Sequence, residues 1–168
     1  RFNDNWGTYR GYAWKRALEA FQNYDIKDIL VGTGLDTAEH IFMPRYYQEM
    51  MNLIGEYFEN VHNEYLQYLV TIGVFGVTAY VAAIASCVTR AFRGGKNSPV
   101  LLALGMAVLC YAVQGIFNIS QTMTTPVFFV LLGMAEGASR RQLYFQRKEK
   151  QEGKPAGKAK GRHYSEPA

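Results

Sequence analysis

Residues 65–89 contain no Asp, Glu, Lys or Arg. A run of that length is enough to cross a bilayer as a helix, which takes about 20 mainly apolar residues. Cysteine is scarce: Cys87 and Cys110 are the two, each inside an apolar run. A disulfide framework or a zinc site needs closer spacing or more ligands, so both read as small buried hydrophobes. No Gly-Lys-Ser/Thr follows Gly32-Thr33-Gly34, which excludes a P-loop. The third glycine and the long βαβ context of a dinucleotide fingerprint are missing as well. Acidic residues thin out after position 65, where four Asp/Glu face twelve Lys/Arg, a balance of +8. Residues 1–65 hold ten Asp/Glu against six Lys/Arg, a balance of −4. The basic residues bracket apolar runs and form no groove, which speaks for membrane topology and against nucleic acid.

Three apolar helices are expected, over about 65–89, 99–117 and 126–138. The last is short and carries Glu136 near its end, which implies tilt or incomplete burial. Gly133 and Gly137, four apart, permit close helix contact. Arg90, Arg93 and Lys96 surround Gly94-Gly95 between the first two helices, whereas 118–125 is polar and uncharged. The positive-inside rule then admits one orientation: the 90–96 loop and the basic tail face the cytoplasm, and 118–125 and residues 1–64 face out. The fold class expected is all-α, a multi-pass membrane protein fragment with about three transmembrane helices plus an extracytoplasmic helical segment. Residues 1–64 form that outer segment, 65–139 the membrane helices, and 140–168 a basic tail that is largely disordered from 148 onwards.

Within the outer segment, Thr8 is expected to cap a helix running to about Asn23. That helix sets Arg10 on one face with Ala13, Trp14, Ala17, Leu18 and Phe21. A guanidinium there must reach water, meet an anion, or stack on Trp14 one turn away. Ile29–Val31 reads as a short extended piece, followed by a tight Gly32-Thr33-Gly34 turn with outward-pointing amides. A second amphipathic helix starts at Pro44, with Tyr46, Tyr47, Met50, Met51, Ile54, Tyr57 and Phe58 on one side. His62 lies at the mouth of the long apolar run. A helix starting near Val61 would align it with Leu66, Leu69 and Gly73, leaving a small residue where a neighbouring backbone can approach. On the histidine alone, an interfacial structural side chain is the plainer reading.

The stretch HNEYLQYLVTIGVFG resembles the signature of the O-antigen ligase and polymerase superfamily, of the form His-Asn-x-x-Leu-x6-Gly, through His62, Asn63, Leu66 and Gly73. Arg10-Gly-Tyr-Ala-Trp14 matches the Arg-x-x-x-Trp pair of that superfamily, and Gly32-x-Gly34 its Gly-x-Gly loop. The resemblance covers roughly residues 8–138. It implies a bacterial plasma-membrane glycosyltransferase with no cofactor and no metal, acting between an undecaprenyl-diphosphate-linked glycan donor and a glycan or glycolipid acceptor in the lipid bilayer. The transfer would occur on the outer side, where no nucleotide sugar is available and the donor must arrive activated.

By that resemblance His62 serves the acceptor and Arg10 the diphosphate, with Asn63, Trp14, Gly73, Gly32 and Gly34 as supporting motif positions. Arg16, with Lys15, is a nearby cation that no motif vouches for, and is a second candidate for the diphosphate. The chemistry agrees: arginine's fork of donors matches phosphate oxygens, and imidazole titrates near 6.5. The chain starts with Arg and shows no signal peptide, so it is expected to be the C-terminal piece of a longer protein, not competent by itself. A repeat-unit polymerase is the close alternative, and a non-catalytic membrane scaffold or transporter fragment the distant one.

Overall fold

The computed structural model describes residues 4, 6–35, 37–57, 59–96 and 98–152. Among these the chain is all-helical, in the order α1 (Arg10–Gln22), α2 (Ile26–Val31), α3 (Ala38–Ile54), α4 (Glu64–Gly95), α5 (Pro99–Gln114) and α6 (Thr124–Glu152). Helices α1–α3 pack on the first turns of α4, whereas α5 and α6 pack along the rest of it.

Two apolar clusters hold these halves. In the first, Tyr12 and Ala17 of α1 meet Ala38, Phe42, Tyr46 and Met50 of α3, together with Val61 and Val70. The α3 residues recur every four positions, which lines them on one helical face. This stripe extends the helix six residues ahead of Pro44, so the proline sits inside it and not at its first turn. An interior proline costs about 3 kcal/mol or more; burial of Phe42 on one side of it and Tyr46 on the other offsets that. Tyr47, Met51 and Tyr57 stay exposed, and Phe58 lies outside the described residues. On α1 the buried face is Gly11, Tyr12, Ala13, Ala17 and Ala20 rather than the expected stripe, and Leu18 points to the outside. The small residues let α1 approach its neighbours closely.

Helix α4 is long and apolar enough to cross a membrane, and only 22 % of its most apolar window is buried, unlike the core helix of a soluble domain. Its 32 residues span about 48 Å. Apolar α5 has 16 residues, about 24 Å, short of a hydrocarbon layer of about 30 Å. Helix α6 has 29 residues, but its apolar part soon meets Glu136, Arg140 and Arg141. Among the described residues, then, one helix rather than three meets the requirement by length and composition.

The second cluster, Ile84, Val108 and Phe128, joins α4, α5 and α6. Ser98 caps α5 by accepting from the Leu101 amide, with Pro99 in the first turn. A Cβ added at Gly105 would lie 2.6 Å from Ala91 Cβ, so α4 and α5 touch almost backbone to backbone there. Helix α6 continues through Glu152, past both the expected end at 138 and the start of the expected disordered tail at 148; residues 153–168 lie outside the described residues. Glu136 is ion-paired to Arg90 of α4 and to Arg140. At Gly133 and Gly137 an added Cβ would meet nothing within 4 Å, so the pair makes no close helix contact here.

Candidate active site at the mouth of the long helix

Helix α4 begins three residues later than a start at Val61. Asn63 is extended and its side chain accepts from the Leu66 amide at 3.0 Å, the bond that defines an N-cap. His62 therefore lies outside the helix and off any helical face, in the left-handed region at φ 53°. A non-glycine residue there is uncommon and costs of order 1–3 kcal/mol unless its surroundings over-determine it. They do. The Val61 amide donates to Gln67 Oε1 at 3.1 Å, Asn63 is held by its cap, and the Glu64 amide donates to the Gly115 carbonyl at 2.8 Å. Strain held in this way is a known mark of functional turns.

Arg10 is the first residue of α1, reached through three successive left-handed residues, Gly7, Thr8 and Tyr9. The expected Thr8 cap is absent; no side chain caps α1. The Arg10 guanidinium lies within electrostatic reach of His62 and makes no ion pair among the described residues. Partial burial of the His62 ring, and then this positive charge, hold the imidazole below its ordinary value near 6.5. The ring is thus neutral at pH 7 and able to take up a proton. Among the described residues Arg10 does not stack on Trp14; Trp14 faces Trp6, ring centroids 5.3 Å apart, and Trp6 in turn faces Phe117 at 6.5 Å.

Arg16 is placed elsewhere. It pairs with Glu19 and with Glu49 of α3, and its guanidinium lies over the rings of Tyr12 and Tyr46, 5.1 and 5.3 Å from their centroids. These contacts tie α3 to α1 through Arg16. Lys15 pairs with Asp4.

The three motif glycines meet. Gly73 is non-helical inside α4, at φ 68° and ψ −175°, and kinks it. A Cβ there would lie 2.5 Å from the Gly32 nitrogen, and one on Gly32 would lie 2.2 Å from the Thr71 carbonyl oxygen. The segment before Gly32 is helical, not extended, because Asp25 caps α2 by accepting from the Asp28 amide and Gly32 ends it at φ 76°. Nor do the loop amides all point outward: Gly34 donates to the Thr71 carbonyl at 2.8 Å. The Val70 carbonyl accepts from Thr33 Oγ1 and from the Tyr24 hydroxyl, each at 3.3 Å. Carbonyls beside the kink thereby find donors outside their own helix.

Reading the sequence assigned no role to Glu64. It is buried, and its carboxylate accepts from Tyr80 at 2.7 Å. The signal was an acidic residue opening an uncharged run, since such a group must find partners inside. Gln67, whose Oε1 accepts from the Val61 amide, was missed as well. Among the described residues no cluster of His, Cys, Asp or Glu is suited to a metal ion.

Residues 1–81 match the family model described as O-Antigen ligase, a span that takes in Arg10, the Gly32–Gly34 loop, His62 and Gly73. No curated protein and no solved structure matches the chain. With the apolar helix that opens inside the matched span, this match over residues 1–81 supports a place in the superfamily of ligase- and polymerase-type membrane glycosyltransferases.

Proposed function

We propose that this chain forms the acceptor-activating and diphosphate-holding part of an O-antigen ligase-like glycosyltransferase, which transfers an undecaprenyl-diphosphate-linked glycan to an acceptor sugar outside the plasma membrane. The observation that carries it is the strained turn holding a partly buried His62 at the mouth of α4, within electrostatic reach of Arg10. His62 takes the proton from the acceptor hydroxyl as that oxygen attacks the anomeric carbon, and the lipid diphosphate leaves with the bonding electron pair. Arg10 holds the departing diphosphate, whose charge grows in the transition state. The rings of Trp6 and Phe117, each exposed on one side, offer apolar surface to a sugar close by.

Arg10 variants separate its two effects. Arg10→Lys keeps the positive charge near His62 but loses the two-pronged contact, so transfer is expected to fall at least tenfold with the acidic limb of its pH profile unmoved. Arg10→Gln removes the charge that helps depress the imidazole, so the limb should move up toward 6.5 as well. Wild-type transfer by Arg10→Lys would reduce the contact to simple charge.

The orientation is tested by cysteine labelling. The loop at 118–125 carries no charge, while Arg90, Arg93 and Lys96 lie at the other end of α4. A cysteine in the 118–125 loop should react with an impermeant thiol reagent in intact cells, and one beside Lys96 should not. The reverse pattern would overturn an outward-facing His62.

A further inference from the structure

The far end of α4 holds a second polar site. Its last turns and the middle of α6 enclose a cavity of about 240 Å³, lined by Arg90, Arg93, Ser139, Gln142 and Gln146 among others. That is less than the roughly 300–1,000 Å³ of a pocket that encloses a drug-sized ligand, and suits a headgroup better than a whole lipid. Gln142 donates to the Gly94 carbonyl at 3.0 Å, which leaves its Oε1 buried with no hydrogen-bond partner. A buried acceptor left so costs about 1–3 kcal/mol until a donor reaches it. Arg93 makes no ion pair among the described residues, and Glu136 is shared between Arg90 and Arg140. Two guanidiniums, Arg90 and Arg93, line the cavity, and the carboxylate nearest them, Glu136, is already engaged by Arg140 as well, which leaves a local excess of positive charge.

Position narrows the ligand. From the kink at Gly73 to Arg90 the helix α4 runs about 26 Å at 1.5 Å per residue without a charged side chain, approaching the roughly 30 Å of a bilayer's hydrocarbon layer. Apolar Leu143 lines the cavity and is exposed, offering a surface along which an acyl chain would run. We propose that this cavity binds the headgroup of an anionic glycerophospholipid: the phosphate sits on Arg93 and the free edge of Arg90, and a headgroup hydroxyl donates to Gln142 Oε1. Guanidinium–phosphate contacts are charge-assisted, and basic pockets between membrane helices are suited to them. A zwitterionic ethanolamine headgroup would add positive charge where positive charge is already in excess. This site is independent of the glycosyl-transfer reading.

The test uses the complete protein in nanodiscs of phosphatidylcholine doped with phosphatidylglycerol, with retained lipid read by native mass spectrometry. Wild type should retain phosphatidylglycerol selectively. It should also bind it about tenfold better than phosphatidylmethanol, which has the same charge and no headgroup hydroxyl. Arg93→Gln should weaken retention of both lipids about tenfold or more. Gln142→Leu should erase only the preference for the hydroxyl, and its thermal midpoint without anionic lipid should not fall. Arg147→Gln, on α6 outside the cavity, should change nothing. Equal losses in Arg93→Gln and Arg147→Gln would show diffuse surface attraction and overturn the site. Undiminished retention by Arg93→Gln would do the same, as would thermal protection by soluble glycerol phosphate equal to that by the lipid.

Discussion

Replacing His62 with glutamine in the complete protein is expected to lower glycan transfer by about 10²–10⁴-fold, the usual cost of losing a general base, while membrane abundance stays near wild type. Glutamine keeps a hydrogen bond but cannot take up a proton. The turn around it is held by Val61, Asn63 and Glu64 through bonds that do not involve the imidazole, so the variant should still fold. His62→Ala should behave alike. Transfer and abundance, measured in the same membranes, decide the matter: normal transfer by the glutamine variant leaves only a hydrogen-bonding role. Parallel loss of both quantities returns His62 to a structural one.

The pH dependence follows from the same ring. Burial and Arg10 favour its neutral form, so transfer should persist below pH 6.5 before the acidic limb sets in. Stability carries the matching sign. A depressed imidazole contributes fully above its unfolded value of about 6.5. That contribution is lost as the pH falls from there towards the folded value, because the unfolded chain protonates first.

Gly32→Ala and Gly73→Ala should be the most damaging small substitutions in the matched region. Both glycines have φ near 70° with extended ψ, a region essentially restricted to glycine. Each added methyl would also strike backbone, at 2.2 Å and 2.5 Å, and backbone cannot swing aside as a side chain can. Strain of about 1–3 kcal/mol plus overpacking of about 1–3 kcal/mol amounts to a large share of the 5–15 kcal/mol that holds a typical domain. Thermal midpoint and membrane abundance of each variant, against Gly133→Ala as a control in open space, provide the measure. The control should be neutral or gain up to about 1 kcal/mol from helix propensity. Wild-type behaviour of Gly32→Ala would mean that the two segments do not cross as closely as described.

Several local expectations failed for one reason: burial patterns cross element boundaries. Pro44 looked like a helix start because proline is tolerated there; the Ala38, Phe42, Tyr46, Met50 face carried the helix through it. Ile29–Val31 looked extended because an apolar pair before Gly-x-Gly reads so, yet Asp25 and Gly32 cap it as a turn and a half of helix.

The unbroken uncharged run after Glu64, the swing from acidic to basic along the chain, and the motif positions His62, Asn63, Leu66 and Gly73 were all present in the order of residues. Together they announced a membrane helix with a titratable ring at its mouth, since periodicity and charge need no partner to be read. Whether that ring belongs to the helix, which arginine stands beside it, and what a glycine eleven residues on does were decided in three dimensions. Asn63 rather than Val61 starts α4 because its side chain, and the Gly115 carbonyl from the far end of α5, satisfy the first amides. At the Gly73 kink of α4 the Gly32 backbone lies so close that no side chain fits between them. The Asn63 cap is local, but the Glu64–Gly115 and Gly73–Gly32 contacts join residues about 40 to 50 positions apart, and local patterning carries no record of them.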